Sequence, residues 1–251
     1  MKYRFIDLFA GAGGLSEGFI RAGYEPIAHI EMDHYACDSL KTRAAFHYLK
    51  ENGKLEIYEE YLKNKKEKTD GSWLWNQVPK SVIDSVIQEA IGKETLPSLF
   101  ERVDKLCNGK PVDMIIGGPP CQAYSVAGRA RLGKKIEEDP RNDLYKFYVE
   151  FLKRYKPKMF VFENVLGIFT AKGGEPFRDL IRLVRELDYN IDFREQIASQ
   201  HGVLQKRHRV IIVGWQNKRD TQEDTSYHYP YLLEEQMPYK MMRDLFCDLP
   251  I

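Results

Sequence analysis

Cys121 stands in the run Gly117-Gly118-Pro119-Pro120-Cys121-Gln122-Ala123-Tyr124-Ser125, directly after an apolar segment at 112–116. Two consecutive pyrrolidine rings fix φ and push the residues before them into extended geometry, so the thiol is held on a rigid turn, while the two glycines leave room for a ligand. A lone cysteine is more often a small core hydrophobe. Pro-Pro-Cys-Gln ahead of a polar loop is poor core chemistry, which makes Cys121 a candidate nucleophile.

A second constellation lies at the start of the chain. Phe5-Ile6-Asp7-Leu8-Phe9-Ala10-Gly11-Ala12-Gly13-Gly14-Leu15 reads as a buried strand entering a tight glycine turn and then a helix, where small residues let a ligand approach the backbone. The spacing is not the dinucleotide fingerprint, because Ser16 stands where a third glycine is needed. About twenty residues on, His29-Ile30-Glu31-Met32-Asp33 places a carboxylate where a nucleoside ribose would present its hydroxyls, with an apolar neighbour for the base. Glu31 has two readings, ribose ligand or cap of the following helix.

These residues need elements to hold them. Apolar, β-branched segments at 3–9, 26–30, 112–116, 159–162, 191–197 and 209–213 alternate with amphipathic helical stretches. That rhythm predicts an α/β fold with a doubly wound, mostly parallel sheet, whose ligands belong at the strand C-termini. From about 50 to 98 the pattern lapses into what reads as an insertion, with the charged run 63–68, Trp73, Trp75 and a helix expected at 81–91. Lys65 and Lys66 beside two tryptophans could touch nucleic acid; a solvated loop with tryptophans packed on the body is the favoured reading.

The 251 residues, 43% hydrophobic, suit one large domain, and a formal charge of +1 gives no whole-chain pull toward nucleic acid or membrane. Neither a membrane span of roughly 20 apolar residues nor a signal peptide is visible, so a cytoplasmic protein is expected. Cys37, Cys107, Cys121 and Cys247 form no CxxC pair and the histidines show no ligand spacing, so neither metal nor disulfide is expected.

Residues 5–15 and 117–125 together resemble the bacterial-type cytosine-5 DNA methyltransferase family. Phe160-Val161-Phe162-Glu163-Asn164-Val165 resembles its Glu-Asn-Val segment, and Gln205-Lys206-Arg207-His208-Arg209-Val210 its Gln-x-Arg-x-Arg segment, the four motifs falling in family order. The resemblance implies a Rossmann-like fold that uses S-adenosylmethionine, Cys121 as the nucleophile at cytosine C6, and Glu163 at N3. Arg207 and Arg209 alternate, so on an extended segment both project to one face. In the family they serve the base carbonyl oxygen and phosphates, while His208 between them points outward. Phe9, Gly11, Gly13, Glu31, Met32, Gly118 and Pro120 would surround the cofactor. Leu144 joins them, since Asp139-Pro140-Arg141-Asn142-Asp143-Leu144 resembles the family's Asp-x-Arg segment.

Double-stranded DNA is the implied partner. The basic, glycine-containing loop at 125–135 matches the family's active-site loop, with Ser125, Arg129, Arg131 and Lys134 as its DNA contacts. Two departures stand out. The acid that ends the family's third strand has no match, Asp104 lying too close to Asp113. The resemblance covers most of 3–216, leaving 42 residues after Arg209 (251 minus 209), where the family continues with a target-recognition region and two closing motifs. Residues 1–216 are therefore expected to form the catalytic domain and 217–251 a tail toward recognition. An incomplete cofactor wall and exposed apolar surface are expected, completed in a longer enzyme or by a second chain. Two other functions remain open: methylation of cytosine in RNA, and a non-catalytic subunit of a split methyltransferase.

Overall fold

The computed structural model describes residues 2–64, 71–120 and 143–217. Among them, strands β1 (Arg4–Leu8), β2 (Glu25–Glu31), β3 (Val86–Gln88), β4 (Met114–Gly117), β5 (Met159–Asn164), β6 (Tyr189–Ile197) and β7 (His208–Gln216) form one sheet in the order β3-β2-β1-β4-β5-β7-β6. The pairs from β3 to β5 are parallel, and β7 enters antiparallel between β5 and β6. The expected mostly parallel α/β sheet is therefore observed.

Helices α1 (Gly14–Arg21), α2 (His34–Glu51), α3 (Leu55–Lys63), α4 (Ser72–Trp75), α5 (Lys80–Asp84), α6 (Leu96–Cys107), α7 (Leu144–Tyr155) and α8 (Glu175–Glu186) connect the strands. Period-two alternation sorts the strand side chains between two layers. Phe5, Met114 and Ile116 pack against Leu15, Phe19 and Ile20 of α1. Ile6, Leu8, Ile115, Phe160 and Phe162 join Leu99 and Val103 of α6, Tyr148 and Phe151 of α7, and Leu180 and Val184 of α8 in the main core. Buried Tyr148 also donates to the carbonyls of Ile115 (3.0 Å) and Val161 (3.1 Å), clipping α7 to both strands. On the α1 side, Met159, Val161, Ile211 and Trp215 are only partly buried.

The helix expected at 81–91 is a correction. α5 ends at Asp84, and Val86–Gln88 is the edge strand, running beside His29, Ile30 and Glu31. Val82, Ile83, Val86 and Ile87 carry helical spacing, but all four are β-branched, and the last two gain burial and a ladder by pairing with β2, which overrides the local pattern. The segment taken as an insertion thus supplies part of the sheet. Its tryptophans pack on the body, beside Leu49, Tyr61 and Leu74, and Trp75 Nε1 donates to Thr42 Oγ1 at 3.2 Å. Lys65 and Lys66 lie outside the described residues.

Candidate active site

Three strand ends lie close together. Leu8 is in register with Gly117, and Gly117 with Phe162, so β1 and β4 end side by side while β5 runs two residues further. The approach is close enough to require glycine. A Cβ on Gly117 would sit 2.1 Å from the Leu8 carbonyl oxygen, and one on Gly118 would sit 2.7 Å from both the carbonyl and Oε2 of Glu163. After β1 the chain turns through left-handed backbone at Phe9 (φ 56°), Gly11 (φ 53°) and Gly13 (φ 83°). For a bulky residue such as Phe9 that conformation costs on the order of 1–3 kcal/mol.

Glu163 is the penultimate residue of β5 and is held by both predicted arginines. Arg209 Nε donates to its Oε1 at 2.7 Å, and Arg207 Nη2 approaches the same oxygen to 3.6 Å. The two side chains therefore share one face, while His208 faces away and meets Glu195 at 2.6 Å. Because Oε1 takes both guanidinium groups, Oε2 is left turned toward Gly118 and the turn that precedes Cys121. The next residue fixes that turn: buried Asn164 donates from Nδ2 to the Pro119 carbonyl (3.3 Å) and accepts from Val165 N through Oδ1 (2.8 Å).

On the neighbouring strand end, the Glu31 carboxylate accepts from Gly11 N (2.8 Å) through Oε2 and from Met32 N (2.8 Å) and Asp33 N (2.9 Å) through Oε1. It does not cap α2; Asp33 does, accepting from Ala36 N at 2.8 Å. A carboxylate has about four acceptor positions, so Glu31 ties the glycine turn to β2 and keeps one for a ligand. Met32 is largely exposed beside it.

The cleft above these strand ends, about 450 Å³, is lined by Asp7, Phe9, Ala10, Gly14, Leu15, Gly117, Gly118, Glu163 and Arg207. Of the expected site residues, the structure brings Phe9, Gly118, Glu163 and Arg207 into its wall. Arg209 reaches it through Glu163, and Gly11 and Glu31 adjoin it. Gly13 stands just ahead of α1, where a Cβ would meet Leu40 Cδ2 at 2.9 Å, and does not line the cleft. Leu144 opens α7 and Pro120 follows β4, neither lining the cleft. Cys121, Ser125, Arg129, Arg131 and Lys134 lie outside the described residues.

Three residues escaped the sequence reading. Asn164 was passed over because its partner is 45 positions away. Glu89 follows β3 directly, its amide donating to the Glu31 carbonyl at 2.9 Å, so an acid does stand at the end of the third strand. Asp7 is 1% exposed and neither carboxylate oxygen has a hydrogen-bond partner. Burial raises its pKa to about 8, the nearby Ser16 hydroxyl easing the shift and Glu31 adding to it. An acid in the middle of an apolar strand is the signal that could have found it. Buried Cys37, its pKa pushed up to about 11 by burial, is no competing nucleophile.

Comparison with known proteins places this cleft in context. The model of the family described as C-5 cytosine-specific DNA methylase matches residues 3–71 and 99–247. Type II methyltransferase M.Bpa9945I of Bacillus paralicheniformis is 33% identical over 98% of the chain and 60% of its own length. Type II methyltransferase M.FnuDI of Fusobacterium nucleatum is 32% identical over 98% of the chain and 55% of its own length. A prophage-encoded E. coli protein, described in its crystal structure as a DNA modification methyltransferase, superposes with a TM-score of 0.55 at 27% identity, covering 86% of this chain and 47% of that one. The chain spans about half the length of the curated relatives it matches.

Proposed function

Because the chain belongs to the C-5 cytosine-specific DNA methylase family, we propose that it forms the catalytic region of a DNA (cytosine-5)-methyltransferase acting on a cytosine turned out of duplex DNA. The observation that carries this reading is the posture of Glu163, pinned through Oε1 by Arg209 and Arg207 with Oε2 toward the Gly118-Pro119-Pro120 turn. That posture puts a carboxyl group and the residue before a nucleophilic thiol on two adjacent strand ends.

The cleft suits S-adenosylmethionine. Gly117 and Gly118 leave no room for a Cβ, Glu31 keeps an acceptor position for a ribose hydroxyl, and Asp7 offers a buried carboxyl without a partner. Phe9, Gly11, Glu31, Met32 and Gly118 would hold the cofactor, with Pro120 and Leu144 bordering it. Glu89 takes the place the sequence reading left empty, as the acid for the adenine amino group. When bound, S-adenosylmethionine supplies an electrophilic methyl group.

Cytosine C5 is too weak a nucleophile to be methylated unaided, so the thiolate of Cys121 first forms a bond to C6 and pushes an electron pair through the ring toward N3. Glu163 meets that charge at N3 with a proton, and the electron pair returns to make C5 the attacking atom. Once C5 is methylated, its proton leaves to solvent or a base, the C6–S bond breaks to release Cys121, and N3 returns its proton to Glu163. Arg207 and Arg209 hold Glu163 and face the base carbonyl and phosphates. Extruding the base costs a few kcal/mol, which Ser125, Arg129, Arg131 and Lys134 help offset on the DNA backbone. Target recognition comes from further polypeptide, in a longer enzyme or a second chain.

The test is transfer of labelled methyl from S-adenosylmethionine to mixed-sequence duplex DNA and to RNA, by the chain alone and with its recognition segment supplied. Duplex DNA carrying 5-fluorocytosine should trap a covalent adduct with the wild type and none with Cys121→Ser. Glu163→Gln should slow transfer by about 10²–10⁴-fold. Preferential methylation of RNA, or an adduct that survives Cys121→Ser, overturns the assignment.

A further inference from the structure

We propose that Glu195 of β6 is a positioning residue for methyl transfer: through His208 it fixes the start of β7, and with it the Arg209 guanidinium on Glu163. This rests on the functional reading above and deepens it, since Glu195 lies outside the cleft and takes part in no methyl-transfer step. Three bonds link the edge of the sheet to the acid. His208 Nδ1 meets Glu195 Oε1 at 2.6 Å, the His208 carbonyl accepts from Arg209 Nη1 at 2.8 Å, and Arg209 Nε donates to Glu163 Oε1 at 2.7 Å. Facing a carboxylate, Nδ1 carries a ring proton and donates it, whether or not the other nitrogen is protonated.

The need for such a tether lies in where the ladders stop. Asn164, the last residue of β5, lies opposite Val210, so His208 is already past the end of β5 and its carbonyl is left to Arg209. On the other side the register with β6 closes at the pair Ile197 and His208. Beyond it Ala198 N still donates to the Arg207 carbonyl at 2.9 Å, while Arg207 N turns away to the Gln205 carbonyl at 2.9 Å. Strand ends held by so few bonds open more readily than strand interiors. Both arginines sit at this one, Arg209 as the second residue of β7 and Arg207 just ahead of it. Glu195 lies two residues before Ile197 and opposite Val210, so its side chain shares a face with His208 and not with Arg209. Its bond to His208 therefore closes the loose end without occupying the surface where a base must enter. With side chains 35% and 45% exposed, the pair adds little to global stability, and what it contributes is local order at the end that carries Arg209.

Rate measurements with the recognition segment supplied test the consequence for the reaction. Glu195→Ala should lower kcat by about three- to fivefold. The KM for DNA and the cofactor affinity should stay within about twofold, and the melting temperature within about 2 °C. Glu195→Gln keeps an oxygen for the Nδ1 proton and should recover kcat to within about twofold. In an Arg209→Lys background, where the two later bonds are already gone, Glu195→Ala should cost nothing further.

A second readout needs no turnover. The Nε–H resonance of Arg209 in the full chain, identified by its loss in Arg209→Lys, reports the bond to Glu163 through its exchange with solvent. Glu195→Ala should speed that exchange by about three- to fivefold. Unchanged exchange overturns the proposal whether or not the chain is active. So does a full additional loss of rate in the Arg209→Lys background. A loss that Glu195→Gln fails to recover, or that comes with a lowered melting temperature, marks a merely structural residue and overturns it too. Faster exchange with an unchanged kcat removes the role in the reaction. Should the wild type transfer methyl to neither DNA nor RNA while Glu195→Ala still speeds exchange, the functional reading has failed and the tether of Arg209 stands.

Discussion

Two buried groups make the stability of the ligand-free chain depend on pH in a way that can be worked out in advance. Burial raises Asp7 from 3.8 to about 8, so the folded state grips its proton more tightly than the unfolded chain does. Its contribution is complete below about pH 4 and is lost as pH rises to 8, at about 1.36 kcal/mol per unit. Burial lowers His29 from 6.5 to about 4, so its contribution is complete above pH 6.5 and is lost as pH falls to 4, with the opposite slope. Between about pH 4 and 6.5 the two slopes cancel. From 6.5 to 8, of the two, Asp7 alone changes, and about 1.5 units of pH remove roughly 2 kcal/mol. Urea unfolding at pH 5, 6.5 and 8 should therefore show equal midpoints at the first two and a fall of roughly 1 M at the third, for an m-value near 2 kcal/mol/M. Asp7→Asn should abolish the fall above pH 6.5 and expose the rise from His29, about 3 kcal/mol between pH 4 and 6.5. Replacing His29 with Gln should extend the fall down to pH 4. A midpoint that holds steady from pH 6.5 to 8 in the wild type, or a fall that persists in Asp7→Asn, would refute the reasoning.

Other consequences follow from single contacts. Gly118→Ala puts a methyl 2.7 Å from Glu163 Oε2 and from its carbonyl; methyl transfer should drop by more than about a hundredfold while circular dichroism is unchanged, and an active Gly118→Ala enzyme would mean Glu163 is not positioned by this turn. Arg209→Lys removes the Nε bond to Glu163 and the Nη1 bond to the His208 carbonyl (2.8 Å). Turnover should fall by about 10²–10³-fold with cofactor affinity unchanged, which titration of cofactor alongside rate measurement would check. Gly214→Ala would drive a methyl to 2.0 Å from the Phe160 ring on the neighbouring strand. Overpacking of this kind costs on the order of 1–3 kcal/mol, so thermal unfolding should shift down by roughly 2–10 °C; an unchanged melting temperature would show that Phe160 can move aside.

The elements visible in the sequence are those whose signal is local. The strands other than β3 announce themselves as apolar, β-branched runs bounded by turns, and the boundaries differ from the expected ones by at most three residues. β3 is three residues long and follows α5 after only Ser85, so its identity resides in the ladder to β2. The antiparallel entry of β7 between β5 and β6 leaves no mark in periodicity for the same reason. At the site, the alternation of Arg207 and Arg209 correctly gives a shared face. That Glu163 is the group they meet depends on β5 lying beside β7, with Glu163 opposite Ile211. The left-handed Phe9 is likewise invisible, because nothing in Leu-Phe-Ala forbids an ordinary strand end.

The two ends of the sheet treat their polar groups differently, and the difference argues for where a ligand belongs. At the N-terminal ends, Asp113 accepts from Arg4 N (3.0 Å) and Lys158 Nζ (2.8 Å), and the Arg4 guanidinium donates to the carbonyls of Leu106, Cys107 and Pro111, its Nε lying 3.9 Å from the Glu25 carboxylate. At the C-terminal ends, Asp7 is buried without a partner, Phe9 is in left-handed backbone, and Gly117 and Gly118 crowd the neighbouring strands. An unsatisfied buried polar group costs about 1–3 kcal/mol and a strained non-glycine residue a similar amount. Against a total stability of roughly 5–15 kcal/mol for a domain, costs of that size at Asp7 and Phe9 are substantial. A ligand lying across the glycine turn gains the close backbone approach that the turn's strain makes possible. The same rim carries Glu163 and leads into Cys121, so the groups that bind and the groups that react are placed by one set of strand ends.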